Sequence, residues 1–99
     1  MKLNDMEIKI SNYISETLDD EMVLYNEESQ KIVILNQPAI FVWKEITASY
    51  LENKNICTQD IVNYLLTIYN ISEIDISTVV NDVEETIELF FQASLLQND

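Results

Sequence analysis

The sequence predicts an α+β domain: a three-stranded antiparallel sheet followed by three helices, in a winged-helix-like arrangement. Short apolar or alternating runs occupy the chain up to Leu35. Apolar residues at helical spacing occupy the remainder, and no second block of strands follows. Strands grouped before helices mark α+β folds rather than alternating ones. At 99 residues, without an internal repeat, low-complexity segment or linker, the chain reads as one domain spanning 1–99. That length is enough to bury a core of its own.

Glu7-Ile8-Lys9-Ile10-Ser11 alternates polar and apolar residues, as a half-buried strand does, and Tyr13-Ile14 extend it. Glu16 to Asp20 reads as a turn or bulge, and Glu21 to Tyr25 as the second strand. The polar stretch Asn26 to Gln30 has the length of a hairpin connection leading to the third strand, Lys31 to Leu35. That strand runs directly into a helix. Asn36 suits an N-cap, Pro38 suits the first turn where its missing N–H costs nothing, and Ala39, Val42 and Trp43 open an apolar stripe. The first helix ends near Leu51, and Glu52 to Asn55 breaks it. Thr58 caps a second helix carrying Asp60 in its first turn, then Ile61, Val62, Leu65, Leu66, Ile68 and Tyr69. A loop from Asn70 to Ile76 follows. Ser77 or Asp75 caps a third helix bearing Val79, Val80, Val83, Ile87, Phe90 and Phe91, and the tail from Leu95 is too short for a separate element.

Composition removes most chemistry. The chain has no histidine, the commonest general base and metal ligand, and no glycine, which phosphate-cradling loops require. Its one cysteine, Cys57, permits neither an internal disulfide nor a multi-thiolate metal site and suits a small, partly buried hydrophobe. No cofactor is expected, no carboxylate pair stands out as catalytic, and an enzyme is not the expected reading. Eighteen carboxylates against five lysines give a formal net charge of −13. The lysines are scattered, so nucleic acid and anionic membrane surfaces are repelled rather than bound. No apolar run is long enough to span a bilayer, and the polar N-terminus lacks a signal-peptide layout, so a cytoplasmic location is expected.

The pattern resembles the PqqD-like family, the stand-alone precursor-recognition element of pathways that modify ribosomally made peptides. A strand pair is followed by a strand entering Asn-x-x-small-x-x-apolar-Trp, here Asn36, Ala39, Val42 and Trp43. A Thr-led helix with a Tyr-aliphatic ending matches at Thr58, Ile61-Val62, Leu65-Leu66 and Tyr69-Asn70-Ile71. An Asp-Val helix matches at Asp82, Val83, Ile87 and Phe90, and the close at Leu95-Leu96. The likeness covers residues 8 to 97 and lies in element order and spacing. One departure is Ser94, where the family often has glycine.

The resemblance implies a non-catalytic protein that binds the leader of a precursor peptide by β-strand addition and presents it to a modifying enzyme, such as a radical-SAM protein, a cyclase or a protease. It places the guest beside Lys31, Ile32, Val33, Ile34 and Leu35, with its side chains towards the third helix. On that helix Val79, Val83, Ile87 and Phe90 form a core stripe, and Val80, Glu84, Ile87 and Phe91 form the stripe expected to face the guest. Two adjacent apolar stripes exceed one packed face and fit either the leader or a homodimer. Either Ile32 and Ile34 or Val33 and Leu35 line the groove, the other pair meeting the core. Glu84 or Glu88 suits a basic leader residue; Lys31 and Lys44 equally suit an acidic one. Trp43 is expected in the core. The alternatives are a winged-helix DNA-binding regulator, which the absence of basic residues on the second and third helices opposes, and another protein-interaction module.

Overall fold

The computed structural model describes residues 4–6, 8–52, 56–69 and 76–98. In chain order these form β1 (Asn4–Met6), β2 (Ile8–Ile10), β3 (Tyr13–Leu18), β4 (Glu21–Asn26), β5 (Lys31–Leu35), α1 (Gln37–Leu51), β6 (Ile56–Cys57), α2 (Thr58–Tyr69), α3 (Ile76–Gln92) and β7 (Leu96–Asn98). The α+β order is the expected one. β3, β4 and β5 make an antiparallel meander, and three helices follow.

Two expectations are corrected. The alternation at the N-terminus does form a strand, β2, but outside the meander: it pairs antiparallel with β7, Lys9 standing opposite Gln97. The first strand of the meander is β3, and only Asp19 and Asp20 remain as the turn. The tail is therefore an element after all, completed by a partner more than eighty positions away. β1 and β6 form a further short pair. Glu7, Asn53 to Asn55 and the expected loop from Asn70, including the candidate cap Asp75, lie outside the described residues.

The strand-to-helix junction forms as its residues dictate. Asn36 is extended (ψ 178°), and its side-chain oxygen accepts the Ala39 N–H at 3.1 Å, with Pro38 in the first turn. Ile40, Val42, Trp43 and Ile46 are the buried positions of α1. They meet Leu24 and Leu35 of the sheet, Ile61, Val62 and Leu65 of α2, and Val83, Ile87 and Phe90 of α3. Trp43 is 2 % exposed. It takes Tyr13 and Phe90 edge-on at centroid distances of 5.2 and 4.9 Å, contacts worth about 0.5–1.5 kcal/mol each beyond area burial.

Without glycine, left-handed backbone falls to other residues: Asp19 (φ 54°), Gln30 (φ 60°) and Ser94 (φ 60°). Ser94 ends α3 in a Schellman motif, its N–H bonding the Phe91 carbonyl at 3.0 Å and the Leu95 N–H bonding the Phe90 carbonyl at 2.9 Å. The departure noted in the sequence thus stands in left-handed backbone, with serine adopting it.

Candidate functional site

β5 is an edge strand of the meander, paired on one side by β4. The side-chain parity left open by its apolar sequence is settled by burial. Leu35 is buried and Val33 packs half-buried against the core, whereas Ile32 and Ile34 are each 63 % exposed. Register aligns Ile32 with Tyr25 and Ile14 across the sheet, and Ile34 with Val23 and Glu16. Ile32 and Ile34 therefore belong to the sheet's open face, and Val33 and Leu35 to the face turned towards the helices. Among the described residues no strand pairs with the outer side of β5, whose alternate backbone N–H and C=O groups are left to a further strand or to water.

The strand's position is set from the opposite end of the chain. Asn26 is 1 % exposed. Its side-chain oxygen accepts the N–H groups of Glu28 and Ser29 at 2.9 and 3.2 Å, shaping the β4–β5 turn. Its amide donates to the carbonyls of Ala93 and Ser94 at 3.2 and 2.8 Å. The Ser29 hydroxyl also donates to Ala93, and the Lys31 Nζ donates to the Gln92 carbonyl at 2.7 Å. Carbonyls at a helix C-terminus have no intrahelical partner, and here side chains from the hairpin satisfy three in succession. The start of β5 is thereby fixed against the end of α3.

Where β5 gives way to α1, a groove of about 620 Å³ opens. Asn36, Pro38, Ala39 and Val42 line it from the junction, Leu65 from α2, and Val79, Asp82, Val83, Glu85, Thr86 and Leu89 from α3. Its floor is apolar because the buried core residues Val42, Leu65 and Val83 lie directly beneath it. Its rim carries exposed carboxylates, Asp82 and Glu85. A shallower concavity farther along α3 is lined by Asn81, Glu84, Glu85, Glu88, Leu89 and Gln92.

Lys31 to Leu35, selected from the sequence, form the edge strand leading to this groove. Val80 and Phe91 are half-buried against the core, Glu84 is half-buried beside the shallower concavity, and Ile87 is fully buried. The side of α3 that reaches the groove is a neighbouring stripe, Val79, Asp82, Val83, Thr86 and Leu89. Periodicity groups residues by face, but it does not say which neighbour each face meets. Leu89, 50 % exposed, is the groove residue that sequence reasoning passed over; an apolar side chain outside the core stripe was its signal. Asn26 was passed over as well, because its partners lie 67 and 68 positions away.

Among the described residues, no cluster of histidine, cysteine, aspartate or glutamate is arranged to hold a metal ion. Cys57 is a half-buried free thiol. Among the described residues no helix is long and apolar enough to cross a membrane.

No protein-family model matches the chain, and no curated relative matches it. Among solved structures it is similar to TbiB1 in complex with the TbiA(beta) leader peptide. The TM-score is 0.67 and the identity 23 %, over 90 % of this chain and 94 % of that one. At that identity, the likeness establishes a shared fold along almost the whole of both chains.

Proposed function

We propose that this protein is a PqqD-like recognition element, a non-catalytic module that binds the leader of a ribosomally made precursor peptide and presents it to a modifying enzyme. The observation that carries this reading is an apolar edge strand, open on its outer side, running into an apolar groove between α1 and α3. The fold is shared with TbiB1, a protein whose structure was solved with a leader peptide.

The guest adds a strand along β5, its backbone completing the unpaired N–H and C=O groups and so supplying affinity without regard to sequence. Its side chains on the helix side lie towards α3 and supply selectivity. Those on the other side extend the open face carrying Ile32 and Ile34. Among the sequence-selected residues, Lys31 to Leu35 contribute backbone edge, and Val80, Glu84, Ile87 and Phe91 act as the support behind the groove stripe. Nothing in this mechanism requires a proton donor, a nucleophile or a metal. Holding the guest and an enzyme together raises the local concentration of substrate.

The test is an NMR titration of the whole protein with a panel of synthetic leader peptides, the TbiA(beta) leader among them. Amide shifts confined to 31–36 and 79–89, with dissociation in the micromolar range or tighter, are expected. Saturable shifts located elsewhere, or none, would overturn the reading.

A further inference from the structure

We infer that the groove between α1 and α3 selects guest peptides carrying a lysine or arginine beside their apolar anchors; this rests on the peptide-binding reading above. The apolar floor accepts a range of aliphatic side chains, so it discriminates weakly on its own. Charge at the rim is what distinguishes guests of similar hydrophobicity.

That rim has one sign. Asp82 and Glu85 stand at the groove, and Glu84, Glu85 and Glu88 continue the acidic surface along the same helix into the neighbouring concavity. Among the described residues neither lining includes a lysine. The lysine of β5 is drawn to the far end of α3, where its Nζ bonds the Gln92 carbonyl. Concave surfaces with apolar walls concentrate such a field.

A feature that would favour an anion is largely occupied. The N-terminus of α1 lines the groove, and helix N-termini attract negative charge through free N–H groups. Here Pro38 has no N–H to offer. The N–H of Ala39 is taken by the Asn36 side chain at 3.1 Å, and that of Ile40 by the Asn36 carbonyl at 2.9 Å. The acidic rim is therefore opposed by little at the junction, and a cationic guest residue meets carboxylates from α3. An acidic guest meets like charge.

The test is selection from a phage-displayed random peptide library on the whole protein at about 50 mM salt, where surface charge is weakly screened. Groove binders are defined as clones lost on Leu89→Asn. The expected result is enrichment of Lys or Arg among them, and loss of that enrichment on the doubly neutralised variant Asp82→Asn, Glu85→Gln. For the best clone, exchanging each basic residue for glutamine is expected to weaken binding about three- to fivefold, the loss shrinking at about 500 mM salt. Groove binders without basic enrichment, or with the same enrichment on the neutralised variant, overturn this inference while leaving the peptide-binding reading in place. Binders of which none depends on Leu89 overturn this inference alone, and absence of any binder overturns both.

Discussion

The two edges of the meander are built to different rules. β3 places Ser15, Glu16 and Thr17 along its middle, and beyond Tyr13 every one of its residues is exposed. A carboxylate on an edge discourages a further strand, because a partner must pair beside an unscreened charge. β5 carries isoleucine at both exposed interior positions, and its only charged residue is engaged at the C-terminus of α3. A long apolar edge is ordinarily an aggregation hazard. The contrast teaches that exposure alone does not single out β5 for the docking proposed above. What separates β5 from β3 is the neighbouring groove and the hydrogen bonds that hold the strand in place beside it.

The largest test removes that placement. Asn26→Ala deletes an amide that serves four backbone groups, two of them carbonyls at the end of α3. It is expected to cost about 3 kcal/mol of stability, read as a lowered midpoint in urea unfolding. Removing the apolar contact from the groove is the next largest. Leu89→Asn, at a half-exposed position, is expected to weaken peptide binding at least tenfold, about 1.4 kcal/mol, in a titration calorimeter, with stability nearly unchanged. A smaller gain is expected from Ser94→Gly, since glycine adopts φ 60° without the steric penalty of a Cβ. Stability should rise by about 0.5–1 kcal/mol, because the backbone carbonyl that Asn26 and Ser11 bond is retained. The smallest effect is on the opposite edge. Glu16→Gln on β3 should leave peptide binding within about twofold and stability within about 0.5 kcal/mol. Binding lost on that substitution would abolish the distinction between the edges.

Much of the fold was legible because its signals are local. Asn36, Pro38 and the apolar stripe from Ala39 to Trp43 act within one helical turn, and α1 starts where they indicate. The β4–β5 hairpin was equally legible from its polar turn. The pairing of β2 with β7 was not, since neither three-residue strand carries a mark of a partner at the other end of the chain. At the candidate site, the edge strand could be selected from its run of isoleucine, valine and leucine, but its parity could not. With both faces apolar, only tertiary burial distinguishes Leu35 from Ile34. The groove stripe of α3 was obscured for a related reason: Ile87 belongs to both apolar stripes, and the helix is embedded deeply enough to bury it completely.

The bonds from Asn26 to Ala93 and Ser94 also set an order of events during synthesis. The hairpin of β4 and β5 is complete in sequence by Leu35, whereas the carbonyls that seat it, those of Ala93 and Ser94, leave the ribosome only after all three helices have been made. A nascent chain therefore exposes its stickiest strand before it has the means to orient it. Ribosomal pausing or premature release short of Ala93 would leave that strand unseated. A chaperone that shields residues 31 to 35 until Ala93 and Ser94 emerge would guard the interval in which misassembly is easiest.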